Sequence, residues 1–152
     1  MARTKLTMPA SSIHQVKRMV RITDINYGNH LGNDSLVSIL HDARVDWLHH
    51  HGLSELNVVN STPSEGPSST GLIMSELVVN YLNESFYGDE LIITIAVGDC
   101  TGAGFELLYK VDAFRNSQTI PVALAKTAMV CFDYQKRKVS SIPTMLLELL
   151  GQ

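Results

Sequence analysis

Residues 21–34 read Arg21-Ile22-Thr23-Asp24-Ile25-Asn26-Tyr27-Gly28-Asn29-His30-Leu31-Gly32-Asn33-Asp34, and they concentrate side chains that handle protons and carbonyl groups. A carboxylate (Asp24), three carboxamides (Asn26, Asn29, Asn33) and an imidazole (His30) fall close together here. Such a set can hold a water or a carbonyl oxygen. The stretch ends where a helical pattern begins. The first amides of a helix lack intrahelical partners and carry partial positive charge, which suits a developing oxyanion. The same residue types also build turns and caps, so Asp24, Asn26 and Asn29 read equally as turn formers and Asn33 as a cap.

Other chemistries find less support. All six histidines (His14, His30, His41, His49, His50, His51) lie in the first third of the chain. A helical two-histidine metal site needs rings at i and i+3 or i+4, whereas His49, His50 and His51 are consecutive and fan around the axis. No Cys-x2-Cys pair exists. No metal site is expected. Gly98, Gly102 and Gly104 lie between two alternating strands and lack the Gly-Lys-Ser/Thr ending of a phosphate loop, so they read as a hairpin turn. There is no Gly-x-Ser-x-Gly elbow, and Cys131 sits in an apolar strand, so nothing points to a serine or cysteine nucleophile.

The elements that must position the loop follow from periodicity. Residues 14–22 alternate weakly and predict a strand. Leu36, Leu40, Ala43 and Trp47 step by four, three and four, flanked by Val37, Arg44 and Leu48, which makes one apolar helical stripe. Asn33 or Asp34 suits its N-cap, and Gly52 suits its stop after a histidine-rich last turn. Residues 54–70, rich in Ser and Pro, read as a loop and a candidate lid. The period then becomes two, with strands over 72–82, 90–98, 104–114 and 119–132, separated by Tyr87-Gly88-Asp89, Thr101-Gly102-Ala103-Gly104 and Arg115-Asn116-Ser117. Gln135 to Lys138 closes the last strand with a basic cluster, and Pro143 opens a short Leu-rich terminal helix over 145–150. Strand, loop, long helix, loop and four strands make an α+β fold, with an antiparallel sheet covered on one face by one helix.

Composition bounds the remainder. The 152 residues make one domain, with residues 1–12 a loose N-terminal arm. Charged residues are only 18%, below the usual ~25%, so another subunit is expected to cover part of the surface. A net charge of −3 gives no basic field for nucleic acid or anionic lipid. Two cysteines make no disulfide framework, and the N-terminus has no apolar signal region. No run approaches a membrane span, so a cytoplasmic, self-associating domain is expected.

The loop resembles the signature of hotdog-fold acyl-CoA thioesterases of the 4-hydroxybenzoyl-CoA thioesterase type, roughly Asp-x-Asp-x-x-Gly-His-Val-Asn-Asn followed by a helix with an acid and an Arg. Here Asp24, Asn26, Asn29, His30 and Asn33 occupy that pattern and Asp42-Ala43-Arg44 the helix positions. The resemblance runs from about residue 13 to 145, and Tyr87-Gly88-Asp89 resembles the family's turn between its second and third strands. It implies a hotdog fold, a five-stranded antiparallel sheet wrapped around one long helix. It also implies a dimer or dimer of dimers with active sites at the interface, and acyl-CoA as substrate with no separate cofactor. The Asn33 N–H would be the oxyanion donor, with Tyr27 and Gly28 beside the substrate and Lys136, Arg137 and Lys138 near the CoA phosphates. The family's catalytic Asp is Asn26 here, and a carboxamide serves as neither nucleophile nor strong base. Asp42 from the other subunit is the implied base, with Asp24 or His41 as alternatives and His30 polarising the carbonyl. Two other readings stand beside hydrolysis. One is a hotdog domain that binds acyl-CoA without turnover. The other is a dehydratase-like hotdog, which the motif spacing fits less well.

Overall fold

The apolar stripe is the inner face of α1 (Asn33–His50), which buries Leu36, Ile39, Leu40, Ala43, Trp47 and Leu48. In the computed structural model, which describes residues 2–59 and 70–152, this face packs on a single antiparallel sheet. The strands are β1 (His14–Met19), β2 (Thr70–Tyr81), β3 (Glu90–Cys100), β4 (Gly104–Arg115), β5 (Gln118–Asp133) and β6 (Lys138–Val139), with α2 (Thr144–Leu149) at the end. Their order across the sheet is β1-β3-β4-β5-β2, with β6 paired to the end of β5. Alternation puts Leu91, Ile93 and Ile95 of β3, Phe105, Leu107 and Val111 of β4, and Ala123, Ala125 and Met129 of β5 against the helix. Trp47 is wholly buried at the centre. Truncating such a side chain typically destabilises by about 3–5 kcal/mol.

Element ends shift from the sequence expectation by one to three residues, and two of the differences have a local cause. The N-cap is Gly32, not Asn33 or Asp34, which are the first two helical residues; Gly32 is extended (φ −73°, ψ 152°). A Cβ there would lie 2.7 Å from an Asp34 carboxylate oxygen, so a larger residue would require the exposed Asp34 side chain to turn away. The first strand stops at Met19 because Ile22–Asp24 forms a 3-10 turn closed by its own acid: the Arg21 N–H donates to Asp24 Oδ2 at 2.8 Å. The predicted stop holds. Gly52 has φ +73°, its N–H donates to His49 O, and the Leu53 N–H donates to Leu48 O, closing the helix with a left-handed residue. The sheet has a sixth, two-residue strand. Asp133 Oδ1 accepts from the N–H groups of Gln135 and Lys136 and turns the basic cluster back on β5.

The two edges of the sheet are unlike. β1 is six residues long and carries Gln15, Lys17 and Arg18. β2 is twelve residues long with a bulge between Met74 and Glu76, and it exposes Ile73, Met74 and Tyr81. At its start, the Leu72 N–H donates to Glu55 O and Thr70 O accepts from the Val58 N–H. At its end, Tyr81 O accepts from Arg3 of the arm, while Asn80 binds Thr4 O and the Leu6 N–H. Among the described residues, none pairs with the outer backbone of residues 73–79. No described helix is long and apolar enough to cross a membrane. Residues 60–69 of the candidate lid lie outside the described residues.

Candidate active site

The signature loop is a tight turn set on the helix start. The Asn26 N–H donates to His30 O and the Asn29 N–H donates to Asn26 O, both at 3.0 Å, and Asn29 takes φ +65°. Asn tolerates that left-handed backbone better than most residues, which fits the reading of Asn29 as a turn former. Asn26 Oδ1 accepts from the Gly28 N–H at 3.0 Å, so this carboxamide braces the turn. A Cβ on Gly28 would lie 3.1 Å from His30 Nε2, so the missing side chain lets the imidazole fold over the loop. His30 Nδ1–H donates to Leu31 O at 3.1 Å, which leaves Nε2 as the acceptor, 3.8 Å from Glu84. The Leu31 N–H donates to Ser85 O, and buried Asp89 holds that segment through Ser85 Oγ and the Phe86 N–H.

His30 and Asn33 come together in a groove of about 260 Å³, whose other walls include Leu36, Tyr81, Glu84 and Val122. The Gly32 N–H is spent on Asp24 O, but no described group accepts from the N–H of Asn33, the first residue of an 18-residue helix. That amide is an open donor at the positive end of α1.

The remaining predicted residues lie elsewhere within the chain. Asp24 is buried as the cap of its 3-10 turn. It shares a separate groove of about 400 Å³ with Arg18, Arg21, Ser38 and Asp42, on the β1 flank of the helix. There Asp42 accepts from Arg18 Nε at 2.5 Å. Tyr27 is fully exposed. Lys136, Arg137 and Lys138 sit beyond Asp133, whereas the groove touches β5 at Val122. The rise of a strand separates the two by about 35 Å. Arg137 stacks over Phe132 at 5.9 Å. Of the other histidines, His14 binds Asp46 at 2.7 Å beside the His50 ring, remote from the His30 groove. Burial pushes the Cys131 thiol up to about 11, which keeps it protonated at neutral pH.

A second groove, of about 270 Å³, opens beside the β2 edge between α1 and Leu72, Met74 and Leu77. Its polar wall is a chain of hydrogen bonds. His41 Nε2 lies 2.8 Å from Glu55 Oε2, Arg44 Nε donates to Glu55 Oε1 at 2.6 Å, Arg44 Nη1 donates to Tyr109 Oη at 3.2 Å, and Tyr109 meets Thr127 Oγ1 at 3.0 Å. Arg44 is only 5% exposed. Burial works against its charge, but Tyr109 and Glu55 outweigh it and raise its pKa further. Burial would likewise raise the Glu55 carboxyl, yet Arg44 and then His41 hold it below its ordinary range.

The sequence matches the family described as the thioesterase-like superfamily over residues 20–150. The chain belongs to the thioesterase-like superfamily. Solved structures place this thioesterase-like chain in the hotdog fold. Slr0204, a 1,4-dihydroxy-2-naphthoyl-CoA thioesterase from Synechocystis, matches with a TM-score of 0.76 at 20% identity, covering 91% of this chain and 95% of that one. SAV2348 from Staphylococcus aureus, solved in complex with CoA, matches with a TM-score of 0.77 at 16% identity, covering 97% and 86%. A thioesterase-superfamily protein from Jannaschia sp. matches with a TM-score of 0.76 at 16% identity, covering 94% and 86%. No curated protein sequence matches.

Sequence reasoning missed Glu55, Tyr109 and Thr127 as members of one network, and read Arg44 as a flank of the stripe and as the Arg of the resembling helix motif, without a partner. Arg44 carried the available signal. It falls four residues after Leu40 and four before Leu48, on the buried face, where a guanidinium needs a buried partner.

Proposed function

We propose that this thioesterase-like chain hydrolyses acyl-CoA thioesters in the His30–Asn33 groove, as a homodimer. One observation carries the reading: Asn33, whose N–H meets no acceptor among the described residues, lines the groove that also holds His30. A thioester oxygen held by that amide gains stabilisation as it becomes an oxyanion during attack by water. His30, held through Nδ1 by Leu31 O, orders the substrate or the water through Nε2. Asn26 holds the turn in shape and takes no proton. The CoA-bound neighbour and the thioesterase neighbours support an acyl-CoA substrate, with CoA as part of the substrate and no separate cofactor.

The homodimer rests on β2. Among the described residues nothing pairs with its outer backbone over residues 73–79, and exposed apolar side chains flank it. Two copies pairing antiparallel across this edge satisfy both strands at once. The reversal also carries the partner's Lys136, Arg137 and Lys138, which lie at the Thr70 end of β2, toward the Tyr81 end, where the groove opens. There they can meet CoA phosphates.

The test is Asn33→Pro, assayed on short, long and aromatic acyl-CoAs. Proline is at home at the first helical position, Gly32 already has the extended backbone a following proline requires, and the change removes the N–H. Loss of one oxyanion donor should lower kcat by about 10²–10³-fold. Undiminished turnover would remove the helix start from the mechanism. A second reading, acyl-CoA binding without turnover, is favoured by the carboxamide at Asn26. It prevails if CoA esters bind but none is cleaved above background.

A further inference from the structure

We infer that His41, oriented by Glu55, is the general base that one protomer supplies to the His30–Asn33 groove of its partner. The inference rests on the hydrolase reading above and names the base that reading lacks. Asp42 cannot serve from where it stands, because it faces β1 and is paired with Arg18. His41 is its neighbour in sequence but sits about 100° further round the helix, on the β2 side.

The His41 pair has the geometry of an oriented base. Nε2 lies 2.8 Å from a carboxylate, which can only accept, so Nε2–H is the donor and Nδ1 keeps the free lone pair. Glu55 is itself fixed by Arg44, and Arg44 by Tyr109 and Thr127. Glu55 and Arg44 are the other charged groups lining this groove among the described residues; Met74 and Leu77 supply apolar wall.

Within one chain His41 and Asn33 are eight residues apart, about 12 Å along the helix, too far to share one water and one carbonyl. Across the open edge the distance problem disappears. The His41 groove lies along Leu72, Met74 and Leu77, and the His30 groove lies at Tyr81 and Leu82. The outer edge is already closed in the chain by Glu55 O at one end and Arg3 at the other, so a two-fold axis can cross only the middle of β2. Antiparallel pairing there sets the Leu72 end of one copy beside the Tyr81 end of the other, at both ends of the interface. Each His30 groove then meets the partner's His41 groove.

The chemistry balances. Nδ1 of the partner's His41 takes a proton from water as the water oxygen bonds to the thioester carbon, and the carbonyl oxygen gathers charge on the Asn33 N–H. The C–S bond then breaks with its electron pair leaving on sulfur, and the proton on Nδ1 passes to that thiolate. One water is consumed, a carboxylic acid and a thiol leave, and nothing is oxidised or reduced.

The deciding experiment mixes two defective chains. His41→Ala and Asn33→Pro, each alone, should lose at least about 10²-fold in kcat/KM. Co-expressed with different tags, the mixed dimers contain one site with both groups intact, so the population should recover about a quarter of wild-type activity. No recovery, with mixed dimers purified through both tags, overturns the inference, as does His41→Ala retaining more than half the wild-type rate. Two readouts do not depend on Asn33→Pro. Added imidazole should restore turnover to His41→Ala, and Glu55→Gln, which keeps an acceptor for Nε2–H but no charge, should lower kcat with KM unchanged. An unmoved kcat together with no imidazole rescue reduces the network to a structural role. A wild-type protein that cleaves no thioester fails the hydrolase reading itself, and that outcome is distinct from an active wild type whose mixed dimers stay dead.

Discussion

The two grooves beside α1 hold their polar groups in opposite ways. At the helix start the groups are a backbone amide and a half-exposed imidazole, kept in place by a turn whose hydrogen bonds are mostly main-chain. Beside the middle of the helix they are side chains, with Arg44 buried and tied through Tyr109 to Thr127 and through Glu55 to His41. A backbone donor needs no counter-charge and loses no side-chain entropy on being positioned. A buried guanidinium tolerates its surroundings only while it is paired. Substitutions in the first groove should therefore change rate with little effect on folding, and those in the second should change both.

Arg44→Ala should produce the largest effect. It removes one partner of a buried ion pair and leaves Glu55 with His41 alone and Tyr109 with Thr127 alone, so urea denaturation should show a loss of about 3–5 kcal/mol. A loss below 1 kcal/mol would erase the contrast between the grooves. Glu55 supplies a sharper version. Because its folded-state pKa is depressed, the stability it contributes is present above the ordinary glutamate value of about 4.3 and is lost as pH falls from there toward the folded-state value. Thermal unfolding between pH 3 and 6 should show wild type losing stability on acidification more steeply than Glu55→Gln; parallel curves would mean the pairing contributes nothing to the fold. The smallest effect belongs to the loop. Gly28→Ala places a methyl against His30 Nε2 and should lower kcat/KM several-fold while the unfolding free energy stays within about 0.5 kcal/mol. A large stability change there would show that the loop, too, is part of the folding core.

Periodicity reports burial, and so the elements it predicts are the ones whose faces are buried. The Leu36–Leu40–Ala43–Trp47 stripe and the long strands after residue 70 were legible for that reason, and Gly52 was legible because a left-handed helix stop favours glycine. So was Asn29, because a turn needing a left-handed residue has few choices. Flank assignment was not legible. His41 and Asp42 look interchangeable in sequence, yet one faces β2 and the other β1, and only the packed helix decides which. Glu55 escaped notice because it sits in an aperiodic stretch, and its significance comes from a guanidinium eleven positions earlier. The N-cap was misplaced because the extended cap backbone falls one residue earlier, on Gly32, which has no side chain to signal a cap.

The unlike edges of the sheet also bear on how far assembly can proceed. β1 offers six residues carrying Gln15, Lys17 and Arg18, and β2 offers backbone only between its two closed ends. A copy joined through that gap uses the same gap in its partner, so growth beyond two copies is left only the short, charged β1 edge. Arg3, in an arm with no regular structure, helps to set that gap. Shortening the arm would lengthen the exposed strand toward the geometry of an open-ended fibre.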